Sequence, residues 1–145
     1  MLFGNLMMGT LLIAATVMIH TFGLILLTKC MKRIVVWFRL HRHGFAQSVA
    51  MVTTVLGLFL IHSVEVWTWA GAYLVIGAVK SFEAALYFST VTFSTVGYGD
   101  IVPLAGWRLF AALEGVNGFI LIGWSTAYLV AASTRHGPFR IGEHF

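Results

Sequence analysis

Between Leu6 and Thr28 no Asp, Glu, Lys or Arg interrupts an apolar run whose one titratable group is His20. Such a run leaves the backbone few options. In hydrocarbon every N–H and C=O must find its partner within the segment, which a helix achieves and an open loop does not. At 1.5 Å per residue, about 20 residues cross the roughly 30 Å apolar core of a bilayer, so Leu6–Thr28 is expected to span. The segment Phe45–Val79 is longer, roughly 50 Å as one helix. Its crossing is placed at Gln47–Trp69, with Trp67 and Trp69 at the outer interface that indoles favour. Gly71 and Gly77 are the expected places to bend or stop, and Ala70–Val79 an apolar cap or turn. A third span is expected over Trp107–Ala132. Charged residues make up 10% of the chain, against roughly 25% in soluble domains. The predicted fold class is therefore an all-α membrane protein with three transmembrane helices, and its first partner is the lipid bilayer.

The formal net charge of +4 would raise nucleic acid as a partner in a soluble protein. Here the placement of the charge argues against it. Five of the nine basic residues (Lys29, Lys32, Arg33, Arg39 and Arg42) directly follow the first apolar run, which is how cytoplasmic loops are marked. No basic residue precedes that run, so it reads as a retained span with its N-terminus outside rather than a cleaved signal. On a helical wheel Cys30, Ile34, Trp37 and Phe38 share one side of Lys29–Gly44, and Lys29, Lys32, Arg33 and Arg39 much of the other; Val36 and Leu40 break the pattern. An amphipathic helix on the cytoplasmic surface is expected, with a basic loop as the alternative. His41 and His43 are expected to be solvated. The lone Cys30 excludes an intrachain disulfide and reads as a small apolar residue, with lipidation the lesser alternative. The tail Ser133–Phe145, with Arg135, Gly137, Pro138 and Arg140, is too small for a regulatory domain.

The stretch Lys80–Pro103 fits none of these classes. Ser81 can cap a short helix from Phe82 to about Ser94, with Glu83 in its first turn, where a negative charge suits the helix dipole. Thr95-Val96-Gly97-Tyr98-Gly99-Asp100 follows at once. A dehydrated potassium ion needs several oxygens in place of its water, and carbonyls supply them without fixed charge, so the ion can also leave. Consecutive carbonyls point one way only if the backbone alternates between right- and left-handed conformations. Gly97 and Gly99 permit this where a side chain costs roughly 1–2 kcal/mol. Thr95 adds a hydroxyl, while Val96 and Tyr98 point away to wedge the strand. The short helix aims its negative end at a cation.

With these residues the chain resembles the potassium channel family with two spans and a re-entrant pore loop, whose selectivity-filter signature is Thr95–Asp100. Ala85–Ser89 looks like that family's pore helix, Pro103 and Arg108 fall where its inner helix begins, and Gly118 lands on the glycine at which inner helices bend. The resemblance covers roughly Phe45–Ala132. It implies a pore helix and filter between the second and third spans, and a passive K+ pathway with no cofactor. K+ would be held at Thr95, Val96, Gly97 and Tyr98, with Gly99 completing the filter and Asp100 and Tyr87 supporting it. One strand cannot encircle an ion, so four copies by cyclic symmetry, a homotetramer, are implied. By family register Thr126 and Val130 are cavity or gate candidates. Two departures stand out. Tyr87 replaces a frequent tryptophan, and its hydroxyl is expected to hold Asp100; Val91 replaces a glutamate brace. The filter faces outside in the family, which leaves seven Lys and Arg inside and two, Lys80 and Arg108, outside. The positive-inside rule reaches that orientation without the motif. The organisation expected is a first span (1–28), a basic linker (29–44), a pore module (45–132) and a short cytoplasmic tail (133–145), in a plasma membrane, with a bacterial inner membrane suggested.

The polar residues inside the spans leave alternatives open. Glu114 either supports the pore helix from behind or packs the bundle. His62 and Glu65, one turn apart, suit a metal or proton switch but read first as an interfacial pair. Asn117 faces the cavity or a neighbouring helix, and His20 reads as a packing residue. The rival functions are a non-conducting modulatory subunit and a potassium transporter subunit; the latter carries four linked loops in a longer chain. No H-E-x-x-H, nucleophile elbow or paired catalytic Asp occurs, so no enzyme is expected. No Arg or Lys recurs at every third position of a span, which argues against a voltage sensor.

Overall fold

A computed structural model describes residues 2–37 and 44–136. The order is α1 (Leu2–Trp37), α2 (Gly44–Val75), α3 (Phe82–Phe93), a single 3-10 turn (Ala105–Trp107) and α4 (Arg108–His136). Three stretches are long and apolar enough to cross a membrane: Leu2–Ile34, Gln47–Val75 and Ala105–Arg135. Three spans and one short helix are thus the observed fold, with no β-sheet pairing among the described residues.

The element ends depart from the sequence expectation in instructive ways. α1 continues without a break through Lys29–Trp37, so the basic segment up to Trp37 is not a separate surface helix. Lys and Arg are good helix formers, and nothing before Trp37 stops the first span. The rest of that expected helix, with Phe38, Arg39 and the solvated His41 and His43, lies outside the described residues, as does the tail beyond His136. α2 passes through Gly71 and stops at Val75. The stop belongs to Gly77, at φ 67°. The Gly77 N–H donates to the Leu74 carbonyl at 3.1 Å and the Ala78 N–H to the Tyr73 carbonyl at 2.9 Å, the paired closure that a left-handed residue makes possible. Trp67 is exposed, whereas Trp69 is fully buried within the chain, with its ring 5.1 Å from that of Phe110. α4 extends past Ala132 to His136, so the tail begins helical.

α3 lies between α2 and α4, and α1 packs on the outside of the same two helices. The core shared by α2, α3 and α4 is aromatic. The Tyr73 ring meets Phe88 at 5.1 Å and 79° and Phe110 at 5.4 Å and 87°, the edge-to-face geometry that ring quadrupoles favour. Small residues let the outer pair approach, as expected where lipid supplies no drive for helix association. A Cβ on Gly23 would sit 2.7 Å from the Ile61 side chain, and one on Gly57 at 2.5 Å from Leu27. Hydrogen bonds then pin α1 along its length. Asn5 Nδ2 donates to the Gly106 carbonyl at 2.7 Å, Asn117 Nδ2 to Thr16 Oγ1 at 2.8 Å, and Thr28 Oγ1 pairs with Tyr128 Oη at 2.9 Å. Asn117 therefore serves a neighbouring helix of its own chain, not a cavity.

The tightest crossing is at Gly118. A Cβ there would overlap the Phe93 carbonyl and lie 2.7 Å from its carbon, so the end of α3 rests directly on the α4 backbone. α4 is continuous through this point. Gly118→Ala is expected to force the two backbones apart, at the upper end of the roughly 1–3 kcal/mol seen for overpacking. A fall in the thermal midpoint of the detergent-solubilised protein, clearly larger than for Gly71→Ala, whose added Cβ meets nothing within 4 Å, checks this.

Candidate functional site

The helix α3 begins as its sequence suggests. Ser81 is extended (φ −131°, ψ 154°), its hydroxyl accepts from the Ala84 N–H at 3.2 Å, and Glu83 occupies the first turn. At the other end Ser94 closes the helix, its N–H donating to the Thr90 carbonyl at 3.1 Å, and the Thr95 N–H donates to Thr92 at 3.0 Å. The next residues leave helical conformation in a regular alternation. φ is 62° at Thr95, 52° at Gly97 and 78° at Gly99, while Val96 and Tyr98 between them are not at positive φ. Glycine adopts these values freely. Thr95 is the sole non-glycine at positive φ among the described residues, and for a β-branched residue this is a strained state that its surroundings must impose. The Gly97 N–H, bonded to the Val91 carbonyl at 3.0 Å, supplies part of that constraint from the far side. Carbonyls along such an alternating strand are free to point the same way.

The side chains of this strand are uncovered within the chain: Val96 is 53% and Tyr98 72% exposed. Behind it, Tyr87 Oη donates to Asp100 Oδ2 at 2.8 Å, and the Ile101 N–H donates to Oδ1 at 3.0 Å. The Tyr87 hydrogen bond is the main reason the Asp100 carboxyl lies below its ordinary range and the Tyr87 phenol above its own. Val91, where a carboxylate brace is absent, is buried.

Glu114 is fully buried and occupied on both oxygens. Ser89 of α3 donates to Oε1 and Tyr73 of α2 donates to Oε2, each at 2.5 Å. These two bonds join the short helix to both flanking spans through one carboxylate. Its partners Tyr73 and Ser89 were not singled out in the sequence. The signal available was one polar side chain in each of three helices, among several other polar residues, with nothing in one dimension to pair them. Thr126 and Val130 are exposed on α4. Thr126 lines a cavity of about 540 Å³ between α2, α3 and α4, together with Leu58, His62, Phe93, Ser94 and Ser125. Ser94 immediately precedes the alternating strand. Glu65, expected at an interface, is instead wholly buried and shared by two histidines, one of them His20 of α1.

A family model described as an ion channel matches residues 49–135, which takes in most of α2, all of α3, the alternating strand and nearly all of α4. The chain is 32% identical over 107 residues to the voltage-gated potassium channel Kch of Escherichia coli (strain K12), covering 70% of this chain and 26% of that protein. It is 41% identical over 54 residues to the calcium-gated potassium channel TvoK of Thermoplasma volcanium, covering 37% of this chain and 16% of that protein. The chain therefore spans about a quarter or less of the length of these relatives. No solved structure matches it significantly.

Two measurements test the fastenings. Ser89→Ala and Tyr73→Phe each leave a buried carboxylate oxygen unsatisfied and are expected to cost about 1–3 kcal/mol; the double variant should cost measurably more or less than the sum, since both act on one group. Equilibrium unfolding in detergent reads both. For Tyr87→Phe the sign follows from the lowered Asp100 carboxyl. The bond contributes above the ordinary carboxylate range and is lost as pH falls through the depressed value. The deficit of Tyr87→Phe in thermal midpoint should therefore be present at neutral pH and vanish in acid.

Proposed function

The chain belongs to the ion-channel family, and on that premise we propose that it is the pore subunit of a potassium-selective channel, conducting K+ passively, with four copies around one axis. The observation that carries this reading is the alternation of positive φ at Thr95, Gly97 and Gly99. It allows the carbonyls of Thr95, Val96, Gly97 and Tyr98, with the Thr95 hydroxyl, to stand in a column. Four such columns replace the water of a K+ ion, and because the ligands are dipoles rather than charges the ion is released to the next position. The exposure of Val96 and Tyr98 supports the same reading. Apolar and aromatic side chains beside a narrow strand need cover, and neighbouring protomers supply it around a four-fold axis.

In this arrangement α3 directs the negative end of its dipole toward the ion path, and Glu114 keeps α3 in that aim. The Tyr87–Asp100 bond holds the outer end of the filter in place of the absent carboxylate at Val91. α4 lines the inner cavity, with Thr126 and Val130 toward the axis. A bend at Gly118 on opening has to part α4 from the Phe93 carbonyl, so gating and filter support would share one contact. The filter faces outward, the basic end of α1 and the C-terminal end of α4 face the cytoplasm, and a bacterial inner membrane is the setting inferred for it. Both relatives named above are potassium channels by name, and neither the family nor those relatives are enzymes.

Purified protein reconstituted in liposomes should pass K+ or Rb+ and largely exclude Na+. Gly97→Ala or Gly99→Ala, which puts a side chain where φ is positive, should abolish the selective flux while leaving the oligomer intact by native mass measurement. Equal Na+ and K+ flux in the wild type, or a mass other than four chains, would overturn the proposal.

A further inference from the structure

The buried cluster beneath the end of α3 is not used by the pore. His20 Nδ1 lies 2.9 Å from Glu65 Oε1, and His62 Nδ1 lies 2.8 Å from Glu65 Oε2. His62 Nε2 lies 2.9 Å from Ser125 Oγ of α4. Trp124 closes one side, its ring 5.2 Å from that of His20, and Phe93 another, 5.8 Å from His62. One ligating atom from each of His20, His62 and Glu65 falls within 4.8 Å of the other two. We propose that these three residues form a transition-metal site of the zinc class, which staples the first span to the pore module.

The donor set is the first reason. Two neutral imidazoles and one carboxylate suit Zn2+ and its neighbours in the first transition row, not K+ or Mg2+. The spacing is the second. Ligand bonds of about 2.0–2.2 Å in a tetrahedral shell put ligand atoms roughly 3.3 Å apart, so displacements on the order of 1 Å convert the hydrogen-bonded cluster into a ligand shell. The third is the charge. Glu65 is wholly buried, and among the described residues its ion-pair partners are these two histidines and no Lys or Arg. A carboxylate inside a membrane span faces groups that can answer its charge, and a metal ion held jointly with the two histidines would do so directly. The fourth is an orphan: His20 is fully buried and its Nε2 has no hydrogen-bond partner, so the protein holds this ring through Glu65 and packing alone. His62, ligating through Nδ1, carries its proton on Nε2 toward Ser125, the outer bond that a metal-bound imidazole normally makes. His62 also lines the 540 Å³ cavity, which gives an ion a way in and leaves room for a water as fourth ligand.

The test uses the 145-residue chain in which His41, His43, His136 and His144 are replaced by Ala, so that His20 and His62 are the histidines remaining. Titration with Co2+ should give one ion per chain with tetrahedral ligand-field absorption, displaced by Zn2+. His20→Asn and His62→Asn should each abolish the absorption, and Glu65→Gln should weaken binding at least tenfold. Zn2+ should raise the thermal midpoint of the parent and not of His20→Asn. Should an Asn variant fail to assemble, X-ray absorption on the Zn2+-loaded parent decides, with two imidazoles in the first shell expected and none overturning the site. Absence of Co2+ binding in the parent, or an unchanged spectrum in His20→Asn, also overturns it and leaves a proton-shared hydrogen-bonded cluster. Because metal occupancy is read directly, this outcome is separate from whether the protein conducts.

Discussion

A carboxylate buried among apolar helices is costly unless both of its oxygens are answered, and in this protein Glu114 is answered by the two elements that must not move. Ser89 belongs to the short helix and Tyr73 to the second span, so one side chain of α4 ties three helices at a single point. The aromatic core around Tyr73 is built on the same point, since its ring packs edge-on against Phe88 and Phe110 while its hydroxyl serves the carboxylate. Packing and polar satisfaction reinforce each other there. The strained φ of Thr95 needs such a foundation, because a short helix free to shift would relax it.

The first span is more than an appendage to the channel unit. Lipid is as apolar as leucine, so burial gives it little reason to adhere. Glycine contacts and hydrogen bonds do the work instead. Asn5, Thr16, His20 and Thr28 each reach a partner in α2, α4 or the turn before α4, spaced over most of the length of α1. Any tilt of α1 must break or carry these contacts, and any movement of α4 is felt at Asn117 and Tyr128. The helix is placed to move with the inner helix rather than past it.

Much was legible in one dimension. The lengths of the apolar runs follow from bilayer thickness, the short helix from Ser81 and Glu83, and the alternating strand from glycines at every second position. Each rests on local chemistry within a few residues. From sequence alone Gly71 and Gly77 are equal candidates for the stop. Both are glycines, and only the carbonyls of Tyr73 and Leu74 closing on Ala78 and Gly77 distinguish them. Trp69 shows the same limit, since an indole near a span end suits an interface and a core alike until Phe110 is seen beside it.

The sequence by itself determined that this chain is a membrane protein with three apolar spans, and that glycines at every second position give Thr95–Asp100 its alternating backbone, because hydrocarbon and backbone stereochemistry act on short stretches independently of the rest. Tertiary structure alone decided the partners of the polar residues within the spans: Glu114 with Ser89 and Tyr73, Asn117 with Thr16, and Glu65 with histidines from two helices. Those pairings join residues between 25 and 101 positions apart where they cross helices. Hydrogen bonding is short-ranged and directional, so it is settled only once packing has set depth and rotation for each helix.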